Sequence, residues 1–342
     1  MKKKVLVTGG TGYIGSHTAV ELINEGYDVV IIDNLYNSEE KVLDGIEKIT
    51  GVRPVLEVFD LCDHEMLGSF FSKNSDIAAV IHFAAYKAVG ESVRKPLEYY
   101  RNNLVSLINI LESMKKHKVP NFVFSSSCTV YGQPEKLPVT ESAPLQPAVS
   151  PYGNTKQVGE EIIRDTVDAD NMIKAIALRY FNPIGAHPSA IIGELPHGVP
   201  ENLVPYITQT AIGIREELKV FGNDYDTPDG YCIRDYLHVV DLAKAHVVAV
   251  NRLIGGKNKA GFEVFNLGTG KGVSVMEAIS SFEKVSGISL KYKVVERRPG
   301  DIEKIWADPS FANTELGWKT QSSLDVAMKT AWDWEKQIRK KS

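Results

Sequence analysis

Thr8-Gly9-Gly10-Thr11-Gly12-Tyr13-Ile14-Gly15 decides the fold because of what stands on either side of it. The short apolar run Lys4-Val5-Leu6-Val7 precedes it, and from Ser16 onward apolar residues recur at helical spacing. A glycine-rich turn between strand and helix brings backbone close to a pyrophosphate and aims the helix N-terminus at it. Gly9 and Gly10 permit the tight turn, Gly12 the close approach, and Gly15 the packing of helix on strand. Taken alone, such a motif is also what a plain structural turn looks like. Here the second strand, Asp28 to Ile32, runs into Asp33, an acid placed to accept hydrogen bonds from ribose hydroxyls. Its carboxylate repels a 2′-phosphate, and Asn34-Leu35-Tyr36-Asn37 supply no arginine or lysine. The pattern therefore expects NAD rather than NADP.

Outward from this unit the rhythm repeats. Strand-like runs at Ala79 to Phe83, Asn121 to Ser125 and Ile173 to Leu178 alternate with helix-like stretches such as His17 to Glu25 and Pro96 to Lys116. That is the pattern of a Rossmann-type, doubly wound parallel sheet, an α/β fold buried on both faces. Beyond Phe181 the chain changes character: Pro188, Gly193, Pro196, Gly198, Pro200 and Pro205 crowd together. We expect a dinucleotide-binding domain over 1–181, with 234–260 returning to it, interleaved with a smaller C-terminal α/β substrate domain over 182–342.

The 342 residues are 43% hydrophobic, enough for a sizeable core, and 39 Lys+Arg against 43 Asp+Glu leave a net charge of −4. No basic footprint for nucleic acid appears. Met1-Lys2-Lys3-Lys4 leads into too short an apolar run for a signal peptide, and no stretch is apolar enough to span a membrane. Cys62, Cys128 and Cys232 lie far apart and suggest neither disulfides nor paired zinc ligands. The eight histidines show no metal-ligand spacing; His82 and His238, beside apolar runs, read as structural. The expectation is a metal-free cytoplasmic protein.

A second constellation carries chemistry. Tyr152 and Lys156 are four apart in a helix-like stretch, so phenol and ammonium share a face. A surface pair has the same spacing, but Ser125-Ser126-Ser127 after a buried strand offers a hydroxyl to both Tyr152 and a substrate; Ser127 is the candidate. A tyrosine of pKa about 10 needs roughly 4 kcal/mol to reach neutrality. One charge at about 4 Å contributes nearly that at an effective dielectric of about 20, and the positive charge of a bound nicotinamide adds to it. Lys156 is thus expected to make Tyr152 a general base.

The glycine spacing, Asp33, the serine run and Tyr-x-x-x-Lys together resemble the extended short-chain dehydrogenase/reductase superfamily. Within it the chain resembles the UDP-hexose 4-epimerases along nearly its full length, through Ile81-His82-Phe83-Ala84-Ala85, Lys87-Ala88-Val89-Gly90-Glu91-Ser92, Arg179-Tyr180-Phe181-Asn182-Pro183, Phe221-Gly222-Asn223, Arg234-Asp235-Tyr236 and Arg297-Arg298-Pro299-Gly300-Asp301. The resemblance implies an NAD-dependent isomerase that inverts carbon 4 of a UDP-sugar through a 4-keto intermediate, with Tyr152 as base. It also implies a homodimer built on the helices around 96–116 and 152–167. The implied cofactor set adds Tyr13, Ile14, Asn34, Asn37, Ser38, Asp60, Leu61, Phe83, Ala84, Ala85, Lys87, Asn102, Ser125 and Tyr180. For the substrate it implies Phe181, Asn182, Asn202, Leu203, Phe221, Arg234, Arg298, Asp301 and Ile305, the last beside the sugar's carbon 2, where family members carry a bulky tyrosine or a small residue.

Alternatives stand beside this. Arg234 also reads as a salt-bridge partner of Asp235, and Asn182 and Asn202 as turn residues. UDP-glucuronate or UDP-N-acetylglucosamine are alternative substrates, and an NAD-sensing protein without catalysis is another reading. A 4,6-dehydratase needs an acid pair where this chain has Cys128 and Thr129.

Overall fold

A computed structural model describes residues 2–298 and 301–340. Pro299 and Gly300 of the Arg297–Asp301 motif lie outside the described residues. The strands are β1 (Lys4–Thr8), β2 (Asp28–Asp33), β3 (Val55–Val58), β4 (Ile77–His82), β5 (Asn121–Ser125), β6 (Lys174–Tyr180), β7 (Asn182–Ile184), β8 (Leu218–Phe221), β9 (Ile233–Arg234), β10 (Tyr236–His238), β11 (Phe262–Leu267), β12 (Val273–Ser274) and β13 (Tyr292–Val295). Seven form one parallel sheet in the order β11-β6-β5-β4-β1-β2-β3. The chain runs outward from β1 through β2 to β3, then restarts on the other side at β4. That reversal opens a crevice at the carboxyl ends of β1 and β4, where such folds take their ligands.

Both faces are covered, which is why Val5, Leu6 and Val7 are all fully buried. The helices Tyr13–Asn24 and Val239–Ile254 pack on one face. His64–Lys73, Ser106–His117 and Pro151–Asp170 pack on the other. A third core, around Ile207, Ala278, Phe282, Met328 and Trp332, holds the substrate-side elements together. They include the short parallel ribbons β7–β10 and β8–β13.

Two expectations change. The segment returning to the sheet does not end at 260: β11 pairs with β6 as an edge strand through Leu267. Its Glu263, the one charged residue of the strand, is taken by a forked pair with Arg252 at 2.7 and 2.8 Å. The helix expected over Pro96 to Lys116 is broken by a π-helical turn at Arg101–Val105, and that turn carries Asn102.

Candidate active site

Asp33, at the end of β2, accepts hydrogen bonds from Thr11 N at 3.1 Å, Leu35 N at 2.9 Å and Ser38 Oγ at 3.3 Å. Three donors fix the carboxylate and leave a lone pair of Oδ2 for a further hydroxyl. Gly9 has φ +69°, a conformation that side chains resist, and a Cβ there would lie 2.8 Å from Ala84 N. At Gly15 a Cβ would stand 2.2 Å from Gly9 O, so helix and turn can touch only at glycine. Gly12 caps the Tyr13–Asn24 helix without a side chain, leaving the first-turn N–H groups of Tyr13 and Ile14 uncapped, as an anion site requires. Asn34 Nδ2 donates to Asp60 Oδ2 at 3.3 Å, and Leu61 is buried beside it. Phe83, Ala84 and Ala85 follow β4, with the Phe83 ring 4.6 Å from that of His246. Asn37 stands exposed on the loop after β2. A cradle closed to any Cβ, an uncapped helix start and a fixed acid fit an NAD-type dinucleotide.

Ser125, Ser126 and Ser127, leaving β5, each engage a different element. Ser125 Oγ and Tyr180 Oη are 2.7 Å apart, Ser126 Oγ donates to Glu160 Oε1 at 2.5 Å, and Ser127 Oγ accepts from Thr129 N at 3.2 Å. Tyr152 and Lys156 are buried on the Pro151–Asp170 helix, whose start is capped by Ser150. Lys156 Nζ donates to Ser125 O at 2.7 Å and stands 5.9 Å from the centroid of the Tyr152 ring. At that distance a unit charge is worth about 3 kcal/mol at an effective dielectric of about 20, roughly two pKa units.

Burial works against the expected lowering of the Tyr152 pKa. Burial, followed by Tyr180, Cys128 and Tyr99, pushes the phenol well above its ordinary value, against the hydrogen bond from Ser127. Lys156 itself falls to about 8 through burial, with Glu160 acting in the opposite direction. His82 is satisfied by Thr8 Oγ1 at 2.8 Å and His238 by Val240 N and Thr330 Oγ1.

On the substrate side Asn182 Oδ1 is buried with no partner among the described residues, a state that costs about 1–3 kcal/mol and that a ligand's donor would relieve. Arg298 makes a forked contact with Asp301, its Nη2 to Oδ1 at 2.7 Å, and its guanidinium lies 5.6 Å from the Phe221 ring centroid. Arg234 points to the same Asp301, Nη2 to Oδ1 at 3.8 Å. It is not bound to Asp235, which accepts instead from Thr269, Gly270 and Ala307 backbone N–H groups. Two arginines, an acid and an aromatic face thus converge, as recognition of a diphosphate and a base requires. Ile305 is only 2% exposed, packed with Phe181, Val130 and Tyr131.

The family described as GDP-mannose 4,6 dehydratase matches residues 6–331. The UDP-glucose 4-epimerase of Bacillus subtilis is 52% identical over 331 residues, 97% of this chain and 96% of that one. That of Haemophilus influenzae is 50% identical over 332 residues, 97% of each. The chain belongs to the UDP-glucose 4-epimerase family. The crystal structure of the Bifidobacterium longum enzyme, in complex with NAD+ and UDP, superposes with a TM-score of 0.94 at 47% identity, covering 98% of this chain and 99% of that one.

Two carboxylates of this epimerase-family site were missed in the sequence. Glu160, one turn beyond Lys156, is buried with Arg179 in a forked pair, 2.9 Å from Nε and 2.5 Å from Nη2. Arg179 continues to Tyr131 Oη at 2.9 Å, and Tyr131 to Asn266 at 2.6 Å. This network ties the Tyr152 helix to β6 and to Ser126; breaking such a buried pair costs about 3–5 kcal/mol. The i+4 spacing from Lys156 was the available signal. Glu194 gave none: it lies in the proline-rich loop, where its Oε1 accepts from Asn202 Nδ2 at 2.7 Å and from Lys87 Nζ at 3.4 Å.

Proposed function

We propose that this chain is a UDP-glucose 4-epimerase, interconverting UDP-galactose and UDP-glucose with NAD retained by the protein. The convergence of Ser127, Tyr152 and Lys156 at the end of β5, beside the Asp33 cradle, carries the reading. The glycine turn, Asp33, Asp60, Phe83, Lys87, Asn102, Ser125 and Tyr180 would hold the dinucleotide. When bound, NAD would supply a positively charged nicotinamide and a reversible acceptor for the hydride of carbon 4, so that carbon 4 can invert without net oxidation.

Tyr152 Oη removes the proton of the sugar 4-hydroxyl and later returns it. Ser127 Oγ, whose hydrogen bond favours the phenolate, would also bond the sugar 4-hydroxyl and orient it toward Tyr152. Lys156 holds positive charge near the phenol while anchored to Ser125 O. Arg234 and Arg298 would leave Asp301 in part to bind the diphosphate, with Asp301 turning to the uridine ribose and Phe221 flanking the base. Asn182 and Phe181 bound the sugar, Leu203 closes that wall, and Ile305 backs Phe181.

Burial pushes the Cys128 thiol up to about 12, so it is no acid catalyst for a dehydration. Exposed Val93, Leu97, Val105 and Ile108 on the helices over 89–117 suit the expected homodimer. Among the described residues no helix is long and apolar enough to cross a membrane. A cytoplasmic role in galactose metabolism follows from the reading. Side-by-side NMR assays with UDP-galactose and UDP-glucuronate test it: conversion of the first is expected, whereas conversion of the second alone would reassign the substrate.

A further inference from the structure

We propose that Glu194 is a positioning residue that fixes how Asn202 meets the UDP-sugar, an inference that rests on Asn202 being a substrate contact. Asn202 stands at the N-cap of the Leu203–Ala211 helix, where asparagine ordinarily bonds to its own helix. Here its side chain makes no such cap. It donates instead to Glu194 Oε1 at 2.7 Å, on a carboxylate only 12% exposed.

A carboxylate only accepts, so it must face the Nδ2 end of the amide. Asn202 Oδ1 is thereby turned away from Glu194 as an acceptor, the group a sugar hydroxyl can donate to. Without Glu194 the amide could present either end, and half of its orientations would set a donor against that hydroxyl.

The carboxylate is itself held in place. Glu194 O accepts from Trp334 Nε1 at 2.9 Å, and Gly193 lies flat on the indole, where a Cβ would come within 2.6 Å of the ring. The loop is therefore seated on the Leu324–Arg339 helix. Lys87 reaches the same Oε1 at 3.4 Å while its ammonium lies 6.0 Å from the centroid of the Tyr13 ring, so one carboxylate joins the dinucleotide turn to the substrate wall.

The test measures kcat, KM for UDP-galactose and bound NAD in Glu194→Ala, Glu194→Gln, Asn202→Ala and the double alanine variant. Loss of one charged hydrogen bond predicts a KM about ten-fold higher in Glu194→Ala, with kcat within about three-fold and NAD content unchanged. Glu194→Gln keeps an oxygen for Asn202 and should bring KM back to within about three-fold of the parent. The double variant should be no worse than Asn202→Ala alone, because Glu194 acts through that residue.

An unchanged KM in Glu194→Ala, additive losses in the double variant, or lost NAD as the cause of the defect would each overturn the proposal. If Asn202→Ala left KM unchanged, Asn202 would leave the substrate site and the proposal would go with it. A raised KM in Asn202→Ala but not in Glu194→Ala would sink the proposal and spare the reading beneath it.

Discussion

On the cofactor side of the cleft, polar groups are settled by the chain itself: Asp33 has three donors, Ser125 has Tyr180, and Lys156 has a backbone carbonyl. On the substrate side they are settled provisionally. Arg298 and Arg234 share Asp301, Glu194 serves both Lys87 and Asn202, and Asn182 Oδ1 has no partner among the described residues. The first arrangement stands on a seven-stranded sheet, the second on two-stranded ribbons and loops. A site that is already organised binds with little ordering cost and holds on, whereas one that must exchange partners gives up part of its binding energy and lets go. The contrast suits an enzyme that keeps its cofactor and turns over its sugar nucleotide.

Breaking the settled side at its reactive atom should have the largest effect. Tyr152→Phe is expected to lower kcat about 10³-fold while leaving bound NAD unchanged, read by a coupled assay and by NAD released on denaturation. Turnover at the parent rate would remove Tyr152 as the base. On the provisional side, Arg298→Ala should raise KM for UDP-galactose roughly 10- to 100-fold, the range for hydrogen bonds to charged groups, with a smaller change in kcat. If KM held and NAD were lost instead, the division of labour drawn above would be wrong.

Acid should act on buried histidines of the settled side and on one, His238, at the end of the β7–β10 ribbon. Burial lowers His17 and His82 to about 3, and His238 and His246 to about 4. Below about 6.5 the unfolded chain takes up protons that the folded one refuses. Stability is thus complete above about 6.5 and falls as pH drops toward 4, by up to about 1.4 kcal/mol per pH unit for each histidine. Urea midpoints measured from pH 7 to 4.5 check the slope; a flat profile would mean these rings are not held neutral. The smallest effect is expected behind Phe181. Ile305→Ala, which removes three carbons, should raise the ratio of UDP-N-acetylglucosamine to UDP-galactose activity several-fold, since even one methylene is worth about 1–3 kcal/mol in a pocket. An unchanged ratio would end the idea that this residue limits room at carbon 2.

The central strands were legible because burial on both faces leaves continuous β-branched runs, as in Val29 to Ile32. β11 was not, since an edge strand tolerates Glu263 once Arg252 covers it. Asn102 was assigned by resemblance, but the π-helical turn that presents it leaves no mark on periodicity. In the site, spacing brought Tyr152 and Lys156 to one face, yet spacing says nothing about dielectric, and burial works against the expected lowering of the phenol. Glu194 was hidden because its partners come from segments far apart in sequence.

The most direct test incubates the purified protein with UDP-galactose, with no NAD added, and follows UDP-glucose by NMR. The account predicts UDP-glucose formation without any external cofactor. No product there, but product once NAD is supplied, would contradict the claim that the cofactor side is organised to retain its ligand.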